Sequence, residues 1–357
     1  MFVTLSSSSS PPLRPRLYGL TRASLETALA DQGYPRYRAD QIFSWIYQKH
    51  LRSPGDMRNL PGALREGMAE FYDLELPEVA AAHASRDHLT HKFVLALRDG
   101  ARVESVSMRT ERRMTFCLSS QVGCALGCTF CATGLMGLQR NLGAHEIVAQ
   151  VLRMGDFHAW EDPRFNLVFM GMGEPLANYD AVVAAIRILH DPRGLNLGAR
   201  RITVSTSGVV PGIRRLAEEG LQAGLALSLH ATRDELRDRL VPINKRWPIA
   251  EVVAAARDYG ERTGRRVTLE YTLLAGVNDG AEDARRLAEL ARSLPSKINL
   301  IAYNPVPGLS WKRPSREAVD AFAHRLLPIA PAVTVRHTMG GEIWAACGQL
   351  GGLTPEA

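Results

Sequence analysis

The sequence predicts an α/β fold, a partial (β/α) barrel with a small N-terminal helical domain and a β-hairpin extension. Three observations predict it. Short β-rich runs alternate with amphipathic helical stretches over most of the chain, a basic helical pattern precedes them, and between the two a β-type alternation turns at Asp99-Gly100. Strand and helix in strict alternation imply a parallel sheet covered by helices, and the number of units suits a full or partial barrel better than a small open sheet.

The 357 residues, 46% of them hydrophobic, are enough to bury a large core, so disorder is not the expectation. Lys and Arg total 43 against 37 Asp and Glu, a formal charge of +6. That mild excess is compatible with phosphate contacts and equally with an ordinary soluble protein. No apolar run is long enough to span a bilayer, and Met1 to Arg16 lacks a signal-peptide core, so a cytoplasmic protein is expected. The tract Ser6 to Pro12 cannot pack, which makes residues 1–16 a disordered tail; residues 351–357 form a second tail.

Residues 17–80 read as a helical accessory domain. Tyr37, Ile42, Trp45 and Ile46 are spaced for one apolar face, Arg36, Arg38, Lys49, His50 and Arg52 lie among them, and Pro77 closes the segment. Such a face suits RNA, although it is also the composition of an ordinary solvated helix. Residues 81–109 read as a hairpin linker, with strands at Lys92 to Leu97 and Val103 to Met108.

The core, residues 110–350, places strands at Met114 to Leu118, Asn166 to Met170, Arg201 to Ser205, Leu225 to Leu229, Val267 to Leu273, Ile298 to Ala302 and Val333 to Arg336. Helical stretches fall at His145 to Met154, Asp180 to His190, Pro211 to Glu219, Ile249 to Thr263, Ala281 to Ser293 and Ser315 to Ile329. In such a barrel the chemistry sits at the strand C-terminal ends. The unusual residues fall there: Cys124 to Cys131, then Gly171-Met172-Gly173-Glu174-Pro175, Ser207-Gly208, His230 and Asn304-Pro305.

Of the five cysteines, Cys117, Cys124, Cys128 and Cys131 are clustered and Cys347 lies apart. An odd number without a secretion signal argues for metal or redox chemistry rather than a disulfide framework. Cys124-Ala-Leu-Gly-Cys128-Thr-Phe-Cys131 spaces three thiolates to face one [4Fe-4S] cluster, and three protein ligands on four irons leave one iron open. S-adenosylmethionine (SAM) can chelate that iron and be cleaved by one electron. The alternative, structural zinc, normally takes four Cys or His ligands in spaced pairs, and no second pair follows. The triad, with Phe130 before its last cysteine, resembles the radical SAM superfamily, and the Gly171 to Pro175 turn adds to the likeness.

The resemblance narrows with further blocks: Ser119 to Leu126, Arg140-Asn141-Leu142, Met170 to Pro175, Ser205 to Pro211, Ser228-Leu229-His230-Ala231, Pro242-Ile243-Asn244-Lys245 and Ala345 to Leu350. From about Tyr34 to Leu350 the chain resembles the RlmN/Cfr family of rRNA adenine methyltransferases. The resemblance implies a radical SAM barrel and two SAM per turnover. One SAM methylates Cys347, and a second supplies the radical that turns the S-methyl group into a methylene radical attacking the adenine ring. Cys117 then frees the product through a transient disulfide with Cys347. It further implies Glu104 as the base and Gly173, Glu174, Ser205, Ser228, Leu229, His230 and Asn304 as SAM contacts, beside the metal ligands Cys124, Cys128 and Cys131. Implied partners are 23S rRNA, with tRNA as a second substrate, and an electron donor such as flavodoxin or ferredoxin, acting on a monomer away from membranes.

The segment His337-Thr338-Met339-Gly340-Gly341-Glu342 departs from the pattern of members that methylate C2, because Met339 stands in place of an arginine and Gly341 in place of an acid. The apolar residue before that Gly is similar to the C8-methylating, Cfr-type branch, which stands as the alternative to C2 methylation. Rival classes are a radical SAM enzyme acting without RNA, which leaves Cys117 and Cys347 without a role, and a non-catalytic RNA-binding protein.

Overall fold

The protein is described by a computed structural model covering residues 14–161 and 165–353. Of the expected tails, 1–16 and 351–357, the described parts are packed, with Arg16 buried 2.7 Å from Asp73 and residues 351 and 353 bonded to Glu104 and Lys92; the rest lies outside the described residues. The N-terminal unit is helical, with α1 (Arg22–Asp31), α2 (Tyr37–Phe43) and α3 (Gly62–Phe71). Thr21 caps α1 by accepting the Ser24 amide, which satisfies an otherwise orphaned donor. Ile42 and Ile46 are buried as the apolar spacing requires, whereas Tyr37 is exposed and Trp45 half-buried. Two of the basic-face residues turn inward to the barrel: Arg52 pairs with Asp156 at 2.9 Å, and His50 stacks on Trp160 with ring centroids 4.1 Å apart.

Three strands follow, β1 (Glu78–Ala84), β2 (Thr90–Ala96) and β3 (Arg102–Thr110), and lead to β4 (Arg113–Cys117). The chain then makes an excursion through β5 (Gln121–Gly123), α4 (Ala132–Leu135) and β6 (Leu138–Asn141) before α5 (Ala144–Phe157). Thereafter strand and helix alternate: β7 (Asn166–Phe169), α6 (Tyr179–His190), β8 (Ile202–Thr206), α7 (Val210–Glu218), β9 (Gly224–Ser228), α8 (Asp234–Leu240) and α9 (Ile249–Thr263). The series ends with β10 (Val267–Leu273), α10 (Ala281–Arg292), β11 (Ser296–Ala302), α11 (Arg316–Leu326) and β12 (Val333–Arg336).

Among the described residues ten strands form one sheet in the order β1-β2-β3-β4-β7-β8-β9-β10-β11-β12. From β4 to β12 all neighbours are parallel, so each crossover is carried by one or more helices, as parallel pairing demands. The sheet starts at β1 and ends at β12 without closing, and is therefore a partial barrel. Its core packs strand residues such as Leu167, Val204, Leu227, Leu269 and Leu300 with helix residues such as Ile186, Val252, Leu287 and Phe322, all buried.

The expected hairpin linker is not a linker. β3 pairs antiparallel with β4, placing Val106 opposite Cys117, so β1 to β3 extend the barrel sheet itself. No helix of the described residues is long and apolar enough to cross a membrane.

Candidate active site

The cysteine loop leaves the sheet at β4 and is pinched shut at its base. β5 and β6 pair antiparallel, and the Cys124 amide donates to the Gly137 carbonyl at 2.9 Å. Gly123 makes that crossing possible: its φ is +78°, and a Cβ there would collide with the Gly137 oxygen. Inside the pinch, the Cys131 amide donates to the Cys128 carbonyl, the Trp311 indole donates to the Thr129 carbonyl at 2.8 Å, and Phe130 meets His230 edge to face.

Cys124, Cys128 and Cys131 line one cavity of about 150 Å³ together with Gly173, Glu174, Ser205, Ser228, His230 and Cys347. Burial pushes the Cys124 thiol up to about 11 and Cys128 and Cys131 upward as well, with neighbouring thiols adding to the effect. Thiols in such a site become thiolates only beside strong positive charge, which is what iron supplies. Among the described residues no trio of His, Cys, Asp or Glu is gathered tightly enough for a single ion. Three thiols spread around one cavity suit a wider object, a multi-iron cluster.

The glycine-rich turn after β7 is locked onto the loop. Gly171 N donates to Leu118 O at 2.9 Å, Met172 N to Ser119 Oγ at 2.8 Å, and Glu174 N to Gln121 Oε1 at 2.8 Å. A Cβ on Gly173 would lie 2.5 Å from Gln121 Cβ and 2.8 Å from its backbone nitrogen, and φ there is +96°. The Glu174 carboxylate accepts Leu176 N at 3.1 Å and Ser207 N at 2.8 Å, and each oxygen retains capacity for another donor. Burial pushes this carboxyl up to about 7, so a cationic ammonium delivered to the cavity would favour its ionised form.

Ser205 and Ser228 face each other across adjacent strands, Oγ to Oγ 3.3 Å. His230 adopts φ +58°, and its Nδ1 accepts the Thr272 amide at 3.1 Å. Burial, with Arg237 nearby, lowers its pKa to about 3. The ring is therefore neutral and carries its proton on Nε2 as a donor.

A second, smaller pocket of about 20 Å³ holds Cys117, Cys347, Asn304, Arg336 and Met339. Cys347 lines both cavities, as do Met170 and Ile301, and so forms part of the wall between them. Asn304 Nδ2 donates to the Cys347 carbonyl at 3.1 Å. Burial, then the nearby Cys347, pushes the Cys117 thiol up to about 12, against the opposing charge of Arg336.

Three expected residues are placed differently from the rest. Leu229 is fully buried and offers no side chain to the cavity. Asn304 belongs to the second pocket. Glu104 lines neither: its Oε1 lies 3.5 Å from Lys92 Nζ, and its Oε2 accepts the Gly351 amide at 2.8 Å. Sequence reasoning missed Arg336 beside both thiols, Glu270 in the cluster cavity and Arg237, which donates to Leu229 O, Asn244 Oδ1, Ser207 O and Ser228 O and so ties the ends of β8 and β9 together. For Glu270 and Arg336 the available signal was a charge inside a largely apolar strand; Arg237, within the charged run of α8, gave none.

Comparison with known proteins agrees with this arrangement. The profile of the Radical SAM superfamily matches residues 118–291, and that of the ribosomal RNA large subunit methyltransferase N-terminal domain matches residues 16–73. The chain is 50% identical to a probable dual-specificity RNA methyltransferase RlmN of Symbiobacterium thermophilum, over 94% of this chain and 91% of that one. It is 46% identical to the dual-specificity RNA methyltransferase RlmN of Dinoroseobacter shibae, over 96% of this chain and 90% of that one. The crystal structure of a radical SAM methyltransferase from Sphaerobacter thermophilus superposes with a TM-score of 0.88 at 49% identity, covering 94% of this chain and 98% of that chain.

Proposed function

This chain belongs to the RlmN family of radical SAM RNA methyltransferases, and from that membership we propose that it methylates C2 of an adenosine in 23S rRNA and, as a second substrate, in tRNA. When bound, the [4Fe-4S] cluster and SAM supply one-electron cleavage to a 5′-deoxyadenosyl radical, along with the methyl group. The residues fit both. Three cysteines of one loop line the cavity beside a carboxylate, two serines and a histidine donor, with Cys347 entering it from the C-terminal segment, and Gly171 and Gly173 keep the turn close-packed where any Cβ would intrude.

The protein's own side chains then divide the work. Cys347 accepts the methyl group on sulfur, gives up one hydrogen atom from it, and its methylene carbon bonds to C2. The adduct radical must then lose one electron, for which the oxidised cluster would be the acceptor when bound, and the proton on C2, which Glu104 takes as base. Cys117 attacks the Cys347 sulfur, the sulfur–carbon bond breaks, its electron pair stays with the carbon, which is protonated, and a Cys117–Cys347 disulfide remains to be reduced. Adenine C2 is an electron-poor amidine carbon that does not attack a sulfonium methyl, which is why a covalent radical route is required.

One observation carries this reading: Cys347 is shared by the cluster cavity and the Cys117 pocket. The RlmN relatives favour C2 over C8 despite Met339 and Gly341. Mass spectrometry of nucleosides from cells with and without the gene tests it. Loss of 2-methyladenosine on deletion is expected, and loss of 8-methyladenosine instead would overturn it. We place the reaction in the cytoplasm, on a monomer reduced by flavodoxin or ferredoxin.

A second expectation concerns the glycine turn. Gly173→Ala meets both an unfavourable φ and the Gln121 backbone, so SAM affinity should fall by about tenfold or more, measured by anaerobic equilibrium dialysis. Unchanged affinity would remove the turn from the SAM site.

A further inference from the structure

The antiparallel extension holds something besides the barrel edge. Residues 348–353, which continue directly from Cys347, run as a strap between α4 and the strands β2 and β3. On the α4 side, Ala132 N donates to Gly348 O at 2.7 Å and Thr133 Oγ1 donates to Leu350 O. On the strand side, Lys92 Nζ donates to Leu353 O at 2.5 Å, and Glu104 Oε2 accepts from Gly351 N at 2.8 Å. Lys92 and Glu104 lie 3.5 Å apart, and Lys92 is fully buried. The preceding segment grips the same extension: Arg86 N donates to Glu342 Oε1 at 3.3 Å, and a Cβ on Gly340 would lie 2.6 Å from Thr90 Cγ2.

A buried ion pair is poor value as a stabiliser, because desolvation cancels most of its Coulomb gain. Burial pulls the Lys92 ammonium below its usual range even with Glu104 beside it. What the pair does here is offer one acceptor and one donor to the two backbone groups that fix the strap on its strand side, Gly351 N and Leu353 O. Displacement of a reacting group by about 1 Å costs about 100-fold in rate, so the strap's seat governs whether Cys347 reaches both cavities.

We propose that Lys92 is a positioning residue for Cys347, acting with Glu104 to latch the C-terminal strap onto the barrel extension. This rests on the methyl-carrier role of Cys347. It also ties that role to the base: Glu104 is engaged by the strap's Gly351 amide, so carboxylate and thiol are set by one contact.

The test uses the full-length, cluster-reconstituted protein. Lys92→Met should leave iron content and SAM cleavage intact while methylated RNA formed per 5′-deoxyadenosine falls about 100-fold. Hydrogen exchange of amides 348–353 should quicken by about tenfold or more, with the β10 amides unchanged. Gly351→Pro deletes the strap's donor to Glu104 while keeping both side chains of the buried pair; it should show the same two effects and decides the matter if Lys92→Met does not fold. Unaltered strap exchange, unaltered coupling, or exchange raised throughout the barrel would each overturn the assignment. The underlying role is checked separately: wild-type protein isolated from cells should carry an S-methyl group on Cys347 by peptide mass spectrometry, and its absence would sink that role whatever Lys92 does.

Discussion

Cys347→Ala is expected to abolish RNA methylation, a loss of about 10⁶-fold on the scale felt when a covalent nucleophile is removed, while the iron–sulfur absorbance and SAM cleavage persist. The separation follows from geometry. The proposed cluster ligands Cys124, Cys128 and Cys131 sit on the pinched loop, whereas Cys347 reaches the cavity from just before the C-terminal strap, so its side chain supports neither the loop nor the glycine turn. Cys117 cannot substitute, because it is buried in the second pocket, outside the cluster cavity, with its thiol pushed up to about 12. Anaerobic assays with labelled SAM, scoring 5′-deoxyadenosine and methylated RNA together, check this. Residual methylation near the wild-type level would remove Cys347 from the reaction. Cys128→Ala, by contrast, should lose the cluster and both products.

Cys117→Ala should leave protein covalently joined to RNA, with turnover halted after one event. Release needs a second thiol able to reach the Cys347 sulfur, and Cys117 shares the small pocket with it while Arg336 lies beside both. Denaturing electrophoresis before and after ribonuclease treatment reads the adduct directly. An RNA-free variant purified from cells that contain the substrate would refute the release role. The pH dependence of release in the wild type has a definite sign. A thiol with a raised pKa is protonated near neutrality, and below that pKa its thiolate fraction climbs about tenfold per pH unit, so single-turnover release should accelerate as pH rises.

Much of the barrel was legible because its strands are buried on both faces and its helices on one, which writes apolar runs and amphipathic periods into the chain. Val267–Leu273, Val333–Arg336 and Ile249–Thr263 fall where those patterns put them. β1 was not legible: Glu-Val-Ala-Ala-Ala-His-Ala lies on an edge, mostly exposed, so nothing forces alternation. α8 hid for the opposite reason. Its charged run contains Arg237, which is fully buried and satisfied by backbone carbonyls and Asn244 that no local pattern announces. In the site, the cysteine triad and the glycine turn are contiguous and readable, but the partners of Glu104 are not. They come from β2 and from residue 351, brought together only by the tertiary fold.

The Gly351–Glu104 contact spans 247 residues, whereas successive parallel strands of the barrel pair with their nearest predecessors. During synthesis the cluster loop and the cavity walls emerge and can assemble from local pairings long before the strap exists. The order of emergence separates the two halves of the proposed site: the cavity that would hold the cluster precedes the segment that carries Cys347. Under the proposed roles, docking of the strap is the last long-range contact the site needs, so the methyl carrier takes its seat only after the cavity that serves it has formed.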